Sequence, residues 1–125
     1  MQLTAPLARV RGHGSAKSGT QHWWAQRMTA VALVPLSLWL VSAAIGMVNG
    51  DYEAARASMQ SPWVAGLWVL FAACVFYHGQ LGLQVVIEDY VHDERISVTA
   101  IVLVKILAVL LGTVSVLAIV RVAAS

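Results

Sequence analysis

Residues 77–92, YHGQLGLQVVIEDYVH, decide the fold of this chain. They close a long apolar run, so His78 lies inside a predicted membrane-spanning helix whose end carries the pair Asp89 and Tyr90. Helical geometry, with about 100° and 1.5 Å per residue, puts Gly82 and Asp89 on nearly the same face as His78. The same geometry places Asp89 about 16 Å further along the axis. One helix face therefore combines a histidine in the membrane, a glycine that leaves space beside it, and a polar pair at the water boundary.

Two further apolar stretches accompany this one. Of the 125 residues, 59% are hydrophobic and only 11% are charged, whereas roughly 25% are charged in soluble domains. About 20 apolar residues suffice to cross a hydrocarbon core of about 30 Å. We therefore predict an all-α membrane protein in which a polar tail precedes a three-helix transmembrane anchor domain. The tail is residues 1–22, the anchor domain 23–125, and the three predicted spans are 28–48, 63–87 and 96–120.

The tail and the basic residues predict how the chain lies in the membrane. The tail has three glycines and one proline, which argue against a long regular helix there. Five basic residues fall on the tail side and two on the other side: Arg9, Arg11, Lys17, Arg27 and Arg95, against Arg56 and Arg121. Because basic residues favour the cytoplasmic side, we expect a cytoplasmic N-terminus and a periplasmic C-terminus in a bacterial inner membrane. The acid-free, arginine-bearing tail also fits an organelle transit peptide, which makes the mitochondrial inner membrane the alternative location.

The histidine inside the second span, His78, has four plausible uses. It can ligate haem iron, ligate another metal, relay protons, or hydrogen-bond to a neighbouring helix. No second histidine stands one or two turns away, and no Cys/His cluster has metal-ligand spacing. A haem held by two histidines would therefore need its second histidine from a partner chain. Three helices also enclose a cofactor poorly, so we expect a partner subunit.

The polar residues at the membrane edges have both a general and a specific interpretation. Arg27 can be an interfacial charge that reaches lipid phosphates, or a guanidinium directed at a carbonyl or anionic group of a ligand. Acids and tyrosines are ordinary at membrane interfaces. However, the hydroxyl of Tyr90 beside the carboxylate of Asp89 can donate a hydrogen bond to a carbonyl oxygen and couple it to proton uptake. That pair suits a quinone that is reduced near the membrane surface.

Residues 77–92 resemble the second transmembrane helix of the succinate dehydrogenase hydrophobic membrane anchor family, the D subunit. The family pattern is a histidine, a glycine four residues on, and Asp-Tyr-Val eleven to thirteen residues on. Here His78, Gly82 and residues 89–91 keep that spacing. The stretch 22–27, HWWAQR, is similar to the HW-x-x-x-R motif of the first helix in that family. The tail is similar to the bacterial form.

The resemblance implies an anchor subunit of succinate:quinone oxidoreductase, respiratory complex II, which is not catalytic by itself. His78 would be one axial ligand of haem b, whose second ligand comes from the cytochrome b (C) subunit. Tyr90 would hydrogen-bond a ubiquinone carbonyl with assistance from Asp89. Arg27 would line the quinone or haem-propionate region, and His22 would be a secondary propionate candidate. The implied partners are the C subunit, the iron–sulfur subunit, the flavoprotein subunit and the lipid bilayer, and no nucleic acid.

Two other classes of protein remain open at the level of sequence. One is the anchor of a quinol:fumarate reductase, and the other is a small structural or transport subunit in which His78 only stabilises helix contacts.

Two residues stand outside the family pattern. Glu88 takes a position where relatives often carry threonine. Lys105 matches no motif, and we expect it to face the bundle and pair with a carbonyl or carboxylate of a neighbour.

Overall fold

The computed structural model describes residues 16–125, and the side chains from residue 19 onward. This part of the chain is helical, with no strand. Three of its helices are long and apolar enough to cross a membrane, which confirms the predicted all-α protein with three spans. The predicted features of the tail up to residue 15 lie outside the described residues. The helices are α1 (Ala16–Asn49), α2 (Tyr52–Met59), α3 (Pro62–Tyr90) and α4 (Glu94–Ala124).

The first helix begins earlier than predicted. α1 starts at Ala16 rather than near residue 28, so residues 16–22 of the predicted tail are helical. The glycines and the proline argued only against a long regular helix in residues 1–22, and just the last seven of these residues are seen to be helical. Once the apolar span has formed, each added residue contributes one hydrogen bond without a new nucleation step. A single glycine such as Gly19 opposes that extension by only about 1 kcal/mol.

The polar connection after α1 contains the short helix α2, which the sequence analysis did not predict. Asp51 caps it, because its Oδ1 accepts a hydrogen bond of 2.8 Å from the backbone N–H of Ala54. Arg56 on this helix donates a hydrogen bond to the backbone carbonyl of Ser125. The short helix is thereby joined to the end of α4.

The ends of the second and third spans follow local capping rules. α3 begins with Pro62 in its first turn and Ser61 at the N-cap position, where the Ser61 side chain makes no capping hydrogen bond. α4 is capped by Asp93, whose Oδ1 accepts from the backbone N–H of Arg95 at 2.9 Å and of Ile96 at 3.1 Å. Only residues 91–93 separate the two helices. Such a short connection makes α3 and α4 antiparallel neighbours.

α3 is the central helix. It packs against both α1 and α4, whereas α1 and α4 have no Cα atoms within 8 Å of each other. On one side, the rings of Trp39 and Trp68 meet edge to face with centroids 6.0 Å apart. On the other side, a Cβ atom added to Gly112 would lie 3.5 Å from the ring of Phe76. Side chains of α3 therefore reach both neighbouring helices.

Little of the described chain is buried. Only three hydrophobic side chains have less than a tenth of their surface exposed, and no polar or charged residue of residues 19–125 is buried to that degree. The three are Leu36, Ala72 and Leu81. The apolar outer faces of the helices are left for lipid or for a partner subunit.

Candidate functional site between the first and central helices

His78 lies half-buried on α3 and faces α1. Its Nδ1 is 3.0 Å from the hydroxyl oxygen of Thr29. Its Nε2 is 3.4 Å from the side-chain amide nitrogen of Gln26. Both ring nitrogens therefore meet polar groups of one neighbouring helix, as a polar residue inside a membrane span requires.

The glycine one turn after His78 has a defined neighbour. A Cβ atom added to Gly82 would lie 3.5 Å from the side-chain nitrogen of Gln26. The absence of a side chain at this position lets the amide of Gln26 rest against α3, beside the imidazole of His78. The sequence analysis predicted that Gly82 leaves space here, and in the structure a side chain of α1 lies against that space.

The two partners of His78 were missed by the sequence analysis. Gln26 and Thr29 follow His22 at spacings of four and seven residues, which places all three on one face of α1. Polar residues that recur at each turn of a membrane helix are the signal that could have revealed them. His22 is half-buried, and its Nε2 and the Oε1 of Gln26 are buried atoms without a hydrogen-bond partner in the described part of the chain.

A cavity of about 460 Å³ lies beside this face, among α1, α3 and α4. Its polar lining includes a ladder along α3. Gln80 donates to Gln84 at 3.3 Å, and Gln84 donates to the carboxylate of Glu88 at 2.8 Å. Lys105 also lines the cavity and, among residues 19–125, it forms no ion pair. Its pairing with a neighbour therefore stays a prediction. The principal lining residues are His22, Tyr77, Gln80, Gln84, Glu88 and Lys105.

The acidic and aromatic pair at the end of α3 is open to its surroundings. Asp89 is exposed, and 78% of the surface of Tyr90 is exposed. Neither side chain makes a hydrogen bond within the part of the chain that the structure describes. They lie about 16 Å from His78 along the helix axis. The central helix thus carries two separate polar positions, one facing α1 and one at its C-terminal end.

Arg27 is not part of the group around His78. Its guanidinium carbon lies 5.2 Å from the centroid of the Trp23 ring, and the side chain is exposed. On a helix, Arg27 is rotated by about 100° from Gln26, so it leaves the face that meets α3. A role of Arg27 toward a ligand stays a prediction.

The donor set fits one side of a haem better than a self-contained metal centre. No group of three or more His, Cys, Asp or Glu side chains within residues 19–125 could hold a metal ion. The single imidazole of His78 is available instead. One of its nitrogens lies 3.0 Å from the hydroxyl of Thr29, and the other makes a long 3.4 Å contact with Gln26. A second axial ligand would have to come from another chain.

The fold and the site define a class: a multi-pass membrane subunit with a histidine on its central helix and an Asp-Tyr pair at that helix's end. A family model described as "Succinate dehydrogenase/Fumarate reductase transmembrane subunit" matches residues 1–112. The chain belongs to this family. The resemblance seen in residues 77–92 and 22–27 is confirmed.

Relatives extend this match over most of the chain. The succinate dehydrogenase hydrophobic membrane anchor subunit of Rickettsia bellii is 38% identical over 108 residues, which cover 85% of each chain. The subunit of the same name from Paracoccus denitrificans is 36% identical over 93 residues, covering 72% of this chain and 70% of the relative. The succinate dehydrogenase membrane anchor subunit of Reclinomonas americana is 31% identical over 96 residues, covering 74% and 80%. No solved structure matches the chain.

Proposed function

We propose that this chain is the membrane anchor subunit of a succinate:ubiquinone oxidoreductase and that it helps bind haem b and ubiquinone. The observation that carries the proposal is the imidazole of His78. This residue lies on the central helix of a family member. Its Nδ1 is 3.0 Å from the hydroxyl oxygen of Thr29 on the neighbouring helix α1. Haem b, when bound, supplies a one-electron carrier between the iron–sulfur subunit and the quinone.

The residues around His78 prepare one side of the haem site. Thr29 and Gln26 orient the imidazole, and Nε2 would be the nitrogen that binds the haem iron. A histidine of the C subunit would complete the site, since the described residues offer only one imidazole in that position. The buried, unpartnered Nε2 of His22 supports a contact with a haem propionate. Arg27, whose guanidinium lies over the Trp23 ring, would line the haem-propionate or quinone region.

The quinone position is at the other end of the same helix face. Tyr90 donates a hydrogen bond to a carbonyl oxygen of ubiquinone, and Asp89 assists proton uptake from water. The exposure of both side chains, and their lack of partners within residues 19–125, support this role. They lie on the cytoplasmic side of a bacterial inner membrane, with the N-terminus on that side and the C-terminus in the periplasm.

The partner subunits follow from the same assignment. The relatives are named as succinate dehydrogenase anchor subunits, and this chain would likewise anchor an iron–sulfur subunit and a flavoprotein subunit to the membrane. The iron–sulfur subunit docks on the cytoplasmic face beside Asp89 and Tyr90. The apolar helix faces left exposed in the isolated chain are covered by the C subunit and by lipid.

Two other functions compete with this proposal. The family description names fumarate reductase as well as succinate dehydrogenase, so an anchor that works with quinol oxidation remains the second candidate. The names of the relatives favour succinate oxidation. Membership of this family argues against a transport subunit.

A difference spectrum of the purified complex tests the haem assignment. The complex is isolated through this chain, and reduced-minus-oxidised visible spectra are compared for the wild type, His78→Ala and His92→Ala. We expect a b-type band that is lost or shifted in His78→Ala, because the iron loses an axial ligand. His92→Ala is the matched control, since His92 is exposed beyond the end of α3, and it should keep the band.

Two outcomes would contradict the haem assignment. A wild-type complex without a b-type band would reduce His78 to a packing residue. A band that is unchanged in His78→Ala would place the ligand elsewhere. In either case, the quinone role of Tyr90 and Asp89 would have to be tested by itself.

A further inference from the structure

We propose that Thr29 is a positioning residue that fixes the tautomer of His78, with the proton on Nδ1 and the lone pair on Nε2. The tautomer follows from contacts within the chain. Its consequence for haem rests on the proposed function of His78.

The hydroxyl of Thr29 has one proton to donate, and the backbone of its own helix takes it. The hydroxyl oxygen lies 2.7 Å from the carbonyl oxygen of Ala25 and 3.1 Å from that of Gln26. A threonine in a membrane helix commonly bonds back to the preceding turn in this way. Toward His78, the hydroxyl oxygen therefore offers a lone pair. At 3.0 Å, Nδ1 must be the donor.

The other ring nitrogen leads to the same tautomer. The side-chain NH2 nitrogen of Gln26, 3.4 Å from Nε2, is a donor only. A proton on Nε2 would face that amide group donor to donor. In the opposite tautomer, Nδ1 would also face a hydroxyl that is already committed to Ala25. Both contacts of His78 are satisfied only when Nδ1 carries the proton.

This tautomer prepares His78 as a ligand through Nε2. A hydrogen bond from Nδ1–H to a fixed acceptor orients the ring and makes the opposite nitrogen a stronger donor to a metal. The 3.4 Å contact with Gln26 is long for a hydrogen bond, so it holds Nε2 only weakly. Thr29 thus acts through His78 and does not need to touch the haem.

Two substitutions at one position separate the hydroxyl from the volume of the side chain. Thr29→Val keeps the shape and removes the acceptor, and Thr29→Ser keeps the acceptor. In the intact complex, we expect Thr29→Val to lower haem affinity by about 10- to 100-fold. The midpoint potential of the remaining haem should rise, because a weaker imidazole donor stabilises ferric iron less. Thr29→Ser should restore both properties.

Thr113→Val is the matched control. The hydroxyl of Thr113 makes the same bond to the preceding turn, 2.7 Å to the carbonyl of Val109, but it lies on α4, away from His78. This variant should leave haem affinity and midpoint potential unchanged. Redox titration of the visible spectrum and haem quantification per complex provide the two readouts, neither of which depends on turnover.

The outcomes distinguish this inference from the proposed function. If His78→Ala loses the haem band while Thr29→Val keeps the wild-type affinity and potential, the role of Thr29 is wrong and that of His78 stands. If His78→Ala keeps the band, the proposed function fails. In that case, ¹⁵N NMR of the complex labelled with ¹⁵N-histidine decides the tautomer of His78. The His78 signal is the one that disappears in His78→Ala. A protonated Nδ1 that is lost in Thr29→Val supports the inference, and a protonated Nε2 overturns it.

Discussion

Two adjacent carboxylates at the end of α3 have different surroundings. Glu88 accepts a hydrogen bond of 2.8 Å from Gln84 and lines the cavity beside α1. Both side chains are exposed, but that of Asp89 makes no hydrogen bond within residues 19–125. The residue that departs from the family pattern, Glu88, is thus held within the chain. Asp89, which has no such partner, is the carboxylate that we propose acts on a ligand.

This difference predicts unequal effects of neutralising the two acids. Asp89→Asn should lower the rate of quinone reduction by roughly 10²-fold, as expected when a group that assists proton transfer is lost. Glu88→Gln should have a much smaller effect, because the amide oxygen can still accept from Gln84. Quinone reduction by the purified complexes, at equal haem content, is the measurement. Equal losses in the two variants would contradict the assignment of Asp89.

The hydroxyl of Tyr90 is the second residue whose role can be isolated. Tyr90→Phe should spare the haem and lower quinone reduction by up to about tenfold, since one hydrogen bond contributes about 0.5–1.5 kcal/mol. Tyr52→Phe, at an exposed tyrosine on α2, is the control. Succinate oxidation with an artificial soluble acceptor should stay normal in both. The assignment fails if Tyr90→Phe reduces quinone at the wild-type rate while that soluble activity is also normal.

At the scale of helices, the sequence predicted the elements better than their ends and contacts. Apolar length alone identified the three spans, because each is long enough to cross a bilayer. The start of α1 and the whole of α2 were missed, since polar segments next to a membrane span give no apolar pattern. The face of α3 that carries His78 could be read from spacing. Its partners on α1 could not, because spacing does not fix the register between two helices.

The contact between α3 and α4 provides a prediction at this scale. A Cβ atom at Gly112 would make only ordinary contact with Phe76, at 3.5 Å, so Gly112→Ala should be tolerated. Gly112→Leu adds three further carbon atoms toward the same ring and should destabilise the complex by about 1–3 kcal/mol. Thermal unfolding of the two purified variants, compared with the wild type, measures the difference. If Gly112→Leu unfolds at the wild-type temperature, the two helices do not pack as closely as described.

At the scale of the whole molecule, we expect the proposed haem site to be completed by another chain. It has one imidazole where a haem with two histidine ligands needs a pair, and only Leu36, Ala72 and Leu81 are buried among its described hydrophobic residues. The expectation of a partner at the haem rests on the number of spans and the single histidine within them, and it stays a prediction. The sequence could not predict which sides of the helices contact the partner, because every span is apolar around most of its circumference.

The orientation of the molecule decides whether the Asp-Tyr pair can meet the iron–sulfur subunit. The distribution of basic residues predicts a cytoplasmic connection after α3 and a periplasmic connection after α1. In a Cys74→Ser background, Ser58→Cys should react with a membrane-impermeant maleimide in intact cells. His92→Cys should react only after the cells are opened, with labelling of the denatured protein as the reference for each. Both positions are exposed in the isolated chain, so a difference between them reports the side of the membrane. The reverse pattern would put Asp89 and Tyr90 on the outer face, where a cytoplasmic iron–sulfur subunit could not supply electrons to a quinone bound there.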